Sequence, residues 1–171
     1  MVYLKTEEEI ELLRQANLLV GRTLAEIARM IRPGVTTNDI NKLADTFIRD
    51  NGAEPTFKGV PSPYGEPFPA SVCCSVNDQV VHGIPNDRPL EEGDIVSVDC
   101  GTLLNGFNGD SCYTFAVGNV SDAVKQLLKV TKESLYLGIK AALPGHHIGD
   151  IGFAVQNHCE SHGKRKSSGE S

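Results

Sequence analysis

The chain has 171 residues, 40% hydrophobic and 22% charged, which suits one globular domain with its own core, and its net charge of −6 argues against a dedicated nucleic-acid binder, which presents a basic face. The N-terminal MVYLKTEEEIELL lacks the cationic and apolar regions of a signal peptide, and no stretch approaches the ~20 apolar residues of a bilayer span. The five cysteines are odd in number with none at CxxC spacing, so free thiols in a cytoplasmic protein are expected.

In chain order, Thr6 and Glu9 form a capping-box pattern that starts a long helix, with Ile10, Leu13, Leu19, Leu24 and Ile27 as its apolar stripe and Pro33-Gly34 as its stop. A second helix starts near Thr36 or Thr37, turns Ile40, Leu43 and Phe47 inward, and ends at Asn51-Gly52. The proline-rich PTFKGVPSPYGEPFPA (55–70) reads as a loop. SVCCSVNDQVVHGIP then reads as a hairpin turning at Asn77-Asp78, which pairs Cys73 with His82, and VDCGTLLNGFNGDSCYTF reads as a second hairpin. Ser121 caps a long helix terminated by Pro144-Gly145, and a last helix runs from about Asp150 to Gly163. Two helices, four strands in hairpins and two helices make an α+β fold, an antiparallel sheet covered by helices. Residues 164–171, KRKSSGES, lack periodicity and are expected to form a polar, disordered tail after a folded unit of 1–163.

Two carboxylates stand in the second hairpin, Asp99 and Asp110. Asn105-Gly106 is its strongest two-residue turn, because a type I′ turn needs positive φ at both central positions. Pairing outward from that turn sets Leu104 opposite Phe107 and Gly101 opposite Asp110. Asp99 then lies two residues from Gly101 on the same face, a diagonal neighbour of Asp110 at ~7–8 Å. Such a pair repels, so it either faces water as two unremarkable strand aspartates or holds a divalent cation through oxygen ligands. His82, at the end of the run into Gly83-Ile84-Pro85, is either a surface histidine or one aimed by a rigid turn.

These motifs together resemble the type I methionine aminopeptidases over about residues 4–163. The matching stretches are KTEEEIELLRQA, IRPGVTT, SVCCSVNDQVVHGIP, LEEGDIVSVDCGTLLNGFNGDSCYTFAVG, TKESLYLGI and the PG…IGDIG…ESHG segment. The resemblance implies the pita-bread fold, two α+β halves with a dinuclear centre of divalent metal (Co, Mn, Fe, Zn or Ni) between them. It also implies removal of the initiator methionine from nascent peptides, at the ribosome, with no direct nucleic-acid or membrane site. Carried over, Asp99 becomes a bidentate ligand of one metal and Asp110 a bridge between both. His82 becomes a substrate contact that helps stabilise the reacting carbonyl. Cys73 and Phe68 fall where the family lines its methionine pocket, while a buried thiol and a loop anchor remain the alternatives. Phe57 and Tyr64 stay unassigned, because VPSPYGEP is longer than the family's usual loop.

The same resemblance places the remaining ligands, a histidine in a GHGIG-type motif and two glutamates, in a second half that does not follow here. GHHIG (145–149) matches the family's helix-connecting segment instead, so His146 and His147 are expected to be solvated turn residues. His158 and His162 share a helix face at i, i+4 spacing without an HExxH motif. The expectation is therefore a truncated N-terminal portion, weakly active or inactive, with a non-catalytic fragment or a peptide- or ribosome-binding module as the alternative.

Overall fold

The computed structural model describes residues 3–61 and 65–163, so Tyr64 and the expected tail at 164–171 lie outside the described residues. The chain divides into two compact units, Met1–Val120 and Ser121–Ser171. The first holds helices α1 (Glu7–Met30) and α2 (Thr37–Asp50) and strands β1 (Glu54–Pro55), β2 (Val72–Val76), β3 (Ile95–Leu104) and β4 (Phe107–Ala116). The second holds α3 (Asp122–Ala141) and α4 (Ile148–His162).

Both leading helices start at capping boxes. Glu9 N–H donates to Thr6 Oγ1 at 3.2 Å while Thr6 N–H donates to Glu9 Oε2 at 2.9 Å, and Thr36 and Asp39 repeat the arrangement at 3.1 and 3.0 Å. Each box satisfies N–H groups that the first turn of a helix otherwise leaves unpaired. From α1 the residues Ala16, Leu19, Val20, Leu24 and Ile27 are buried, and α2 adds Ile40, Ala44 and Ile48. All but Ala16 form one core with Val72, Cys74, Val96, Val98 and Cys100, one face of the sheet. Ile10, expected in the apolar stripe, stays exposed in the second turn of α1.

The sheet is antiparallel throughout. β4 pairs with all of β3, from Ile95↔Ala116 to Leu104↔Phe107. β2 (Val72↔Cys100 to Val76↔Val96) and β1 (Glu54↔Leu103, Pro55↔Thr102) therefore share the other edge of β3, end to end. The β3–β4 turn is the expected one, with φ of 52° at Asn105 and 81° at Gly106. α1 lies directly on β4, where a Cβ added at Gly109 would come within 2.5 Å of the Ala16 carbonyl. Beside it, Thr102 Oγ1 donates to the Ala16 carbonyl at 3.1 Å, and Asp110 N–H donates to Asn17 Oδ1 at 3.3 Å. The helix thus locks the strand at the position that carries Asp110.

The first expected hairpin is corrected. SVCCSVNDQVVHGIP forms one strand, β2, which pairs with β3 rather than with its own continuation. Asn77 starts the departure at φ 55°, and its side chain is taken up across the sheet, donating to Asp94 Oδ1 (2.8 Å) and accepting from Ile95 N–H (3.0 Å). Val81 and His82 then adopt φ of 39° and 49°, a left-handed conformation that no strand accommodates. The chain returns two residues out of the expected pairing, with Cys74 N–H donating to the Gly83 carbonyl, where Val81 was expected opposite, at 2.8 Å. The fourth strand is instead β1, at the edge of the stretch expected to be wholly loop.

In the second unit Ser121 caps α3 through a bond from Val124 N–H at 3.3 Å. Val130, Ser134 and Gly138 are the buried residues of α3, a stripe at i, i+4, i+8. Gly138 lets α4 approach closely, since a Cβ there would meet Val155 Cγ2 at 3.1 Å. No helix among the described residues is long and apolar enough to cross a membrane.

Candidate metal centre

The face of the sheet opposite α1 and α2 follows from the two-residue period. With Cys73↔Asp99↔Cys112, Ser75↔Ser97↔Thr114 and Gly101↔Asp110 in register, it carries Cys73, Ser75, Ser97, Asp99, Gly101, Asp110, Cys112 and Thr114. Ser97 and Thr114 share a hydroxyl hydrogen bond of 2.8 Å across the strands. Asp99 and Asp110 are diagonal neighbours, as the turn at Asn105-Gly106 demands, close enough for the Asp110 carboxyl to act on that of Asp99. Asp99 is half-buried and Asp110 exposed.

Gly101 makes room beside the pair. A Cβ at that position would overlap Thr56 Oγ1 and stand 2.9 Å from Phe57 Cε1, so the segment after β1 rests in the gap a side chain would fill. Thr56 N–H donates to the Gly101 carbonyl at 3.2 Å, which fixes that segment in place. Sequence reasoning left Phe57 unassigned and gave Thr56 and Cys112 no role. Cys112 was recoverable from the strand period, being two residues past Asp110; the Thr56–Gly101 contact had no local signal.

The electrostatics are those of two neighbouring carboxylates on one face. Burial and then the charge of Asp110 push the Asp99 carboxyl above its ordinary range, with His82 pulling it partly back. The Cys73 and Cys112 thiols are each pushed up to about 11, by burial first and then by the two carboxylates, with each other's company also acting on Cys73. Both therefore remain protonated at neutral pH. Among the described residues, the ion pairs formed by lysine and arginine all involve other carboxylates.

His82 is exposed yet placed. Gly83 N–H donates to Ser75 Oγ at 3.1 Å, and a Cβ at Gly83 would overlap the Cys74 carbonyl oxygen, so only glycine lets the chain lie this close to β2. The ring of His82 is thereby held near enough to act on the Asp99 carboxyl. The structure thus brings Asp99, Asp110, Cys73 and His82 to one region. Phe68 is half-buried and anchored separately, its N–H donating to the Val60 carbonyl (2.9 Å) and its carbonyl accepting from Gly59 N–H (2.8 Å). His146 and His147 are solvent-facing residues of the turn before α4. Two oxygen-donor side chains of like charge, without a lysine or arginine partner among the described residues, form a donor set that suits a hard or borderline divalent cation.

A family profile described as metallopeptidase family M24 matches residues 11–170. A methionine aminopeptidase of Clostridium acetobutylicum is 48% identical over 164 residues, covering 95% of this chain and 64% of that protein. Methionine aminopeptidase 1 of Bacillus subtilis is 44% identical over 161 residues, covering 94% and 63%. The chain thus spans a little under two thirds of the curated relatives it matches. The crystal structure of methionine aminopeptidase from Rickettsia prowazekii superposes with a TM-score of 0.89 at 40% identity, over 95% of this chain and 63% of that one. A prolidase from Pyrococcus furiosus superposes at 0.81 with 22% identity, over 94% and 44%, which shows the shared pita-bread fold alone.

Proposed function

Since this chain belongs to metallopeptidase family M24, we propose that it carries part of a methionine aminopeptidase centre, acting in the cytoplasm on the initiator methionine of nascent peptides at the ribosome. The observation that carries this reading is the pair Asp99 and Asp110, set side by side by the Gly101↔Asp110 register, with neither in a lysine or arginine ion pair among the described residues. Asp99 and Asp110 would hold divalent metal, two ions in the intact family site and of the Co, Mn, Fe, Zn or Ni class. Such metal supplies Lewis acidity toward the scissile carbonyl and a water acidic enough to attack it. Asn17, bonded to the backbone of Asp110, and the Thr56 segment against Gly101 keep the two carboxylates in place. His82 stands at the rim, where its ring would contact the substrate backbone and donate toward the oxygen that gains charge. Cys73, protonated and next to Asp99 in the sheet, and Phe68 would line the pocket for the methionine side chain, where a thiol and an aromatic ring suit a thioether.

Two carboxylates alone leave most coordination positions to water, so this chain should bind such metal weakly and turn over slowly or not at all. Hydrolysis of a Met-Ala-Ser peptide with added Mn²⁺ or Co²⁺, beside the Asp110→Asn variant, tests the reading. We expect a metal-dependent rise in melting temperature that Asp110→Asn diminishes, with little product. Rapid turnover abolished by Asp110→Asn would overturn the weak-activity reading. Peptide binding indifferent to metal, with no metal-dependent stabilisation, would replace the whole reading with that of a binding module.

A further inference from the structure

The helix pair of the second unit carries a cluster that the aminopeptidase reading does not use. Glu133 of α3 and His158 and His162 of α4 each bring a ligand atom within 4.8 Å of the other two. We propose that these three residues form a separate site for a first-row divalent transition metal, with zinc as the natural probe, clamping α4 to α3. Two imidazoles and one carboxylate are a donor set that zinc takes with a water in the fourth position.

The geometry is already close to what an ion needs. His158 Nε2 and Glu133 Oε2 are 3.2 Å apart, and two ligand atoms about 2.1 Å from a tetrahedral ion stand about 3.4 Å from each other. The His158 and His162 rings, one turn apart, have centroids 4.4 Å apart. The tautomer of His162 is set by its neighbour, because Nδ1 lies 2.8 Å from the His158 carbonyl, which can only accept. Nδ1 therefore carries the hydrogen and Nε2 is left with its lone pair, the arrangement that orients a metal-binding imidazole. Lys129 Nζ stands 3.9 Å from Oε1 of Glu133, on the side of the carboxylate away from the oxygen that meets His158. An ion entering here replaces the proton now lying between His158 Nε2 and Glu133 Oε2, and that proton passes to Nδ1 or to solvent. A hydrogen bond between His158 and Glu133 needs neither His162 nor its tautomer, so His162 is the residue that separates a site from a simple pair.

The test removes the other candidate site first. In the 171-residue chain carrying Asp99→Asn and Asp110→Asn, calorimetric titration with Zn²⁺ should still show one site. His162→Gln or Glu133→Gln in that background should weaken it at least about tenfold, the usual cost of losing a ligand or its support. His162 is exposed and Glu133 partly so, and unchanged far-ultraviolet circular dichroism will show that the helices persist. Co²⁺ in place of Zn²⁺ should give the intense visible bands of a tetrahedral N/O site. No Zn²⁺ binding in the Asp99→Asn, Asp110→Asn chain would overturn the proposal. So would an affinity indifferent to His162→Gln, or a thiolate-to-cobalt charge-transfer band, which would put the ion on an exposed cysteine.

Discussion

Asp99 and Asp110 are diagonal neighbours of like charge on one sheet face, and the cost of that arrangement is measurable. The folded chain holds the Asp99 carboxyl above its ordinary range, through burial first and Asp110 second. A carboxyl raised in the folded state favours folding most at pH values below its unfolded pKa. That contribution is lost as pH rises through the raised folded value, so the metal-free chain should lose stability from about pH 4 upward through that window. Asp99→Asn should remove this dependence and stabilise the metal-free chain at pH 7 by about 1 kcal/mol or less, since the open face screens the pair. Urea unfolding at pH 4 and pH 7 in chelator, for both proteins, checks it; equal pH slopes would show that the pair does not interact. These two residues were legible in the sequence because one local rule, the positive φ required at Asn105-Gly106, sets their register. Cys112 and Thr56 were not read as parts of the same face, although the first obeys the same period. Glu133 could not be read beside His158, 25 residues away, because nothing local links the two helices.

At the level of elements, the strand that carries Asp110 is held by backbone against backbone, which makes Gly109 its most demanding position. A methyl group there meets the Ala16 carbonyl within 2.5 Å, and neither partner is a side chain that could rotate away. Gly109→Ala should cost about 2–3 kcal/mol, the upper range for forcing a methyl group into packed structure. Gly106→Ala meets nothing within 4 Å and suffers only its positive φ, so it should cost about 1 kcal/mol. Urea midpoints of the two variants give the comparison, and a Gly109→Ala cost no greater than that of Gly106→Ala would mean that α1 does not press on β4. The helices were readable from their caps and stripes. The β2 segment was not, because its turn signal at Asn77-Asp78 is real but serves a crossing, with the Asn77 side chain bonded to Asp94 and Ile95 rather than to a hairpin partner. β1, two residues long and ending on a proline, offers no pattern at all.

Across the whole molecule, burial is unevenly shared, and stability should follow it. The first unit has a continuous core in which Val20, Ile27, Ile40, Ile48, Val72, Val96 and Val98 are fully buried. In the second unit α3 buries Val130, Ser134 and Gly138, α4 buries none of its residues, and Leu127, Leu135, Tyr136, Ile139, Ile148 and Phe153 remain exposed. A helix with so little buried apolar surface opens locally at a free energy well below that of the core. Hydrogen exchange should therefore report α4 amides exchanging at least about a hundredfold faster than those of β3, a difference of roughly 3 kcal/mol in opening free energy. Uniform protection across α4 and β3 would mean that the two units unfold as one. Zinc supplies the complementary measurement, because a ligand stabilises only what unfolds with loss of its site. In the Asp99→Asn, Asp110→Asn chain, Zn²⁺ held by Glu133, His158 and His162 should slow exchange in α3 and α4 and leave β3 unchanged. Slowing in β3 with none in α4 would place the ion in the first unit.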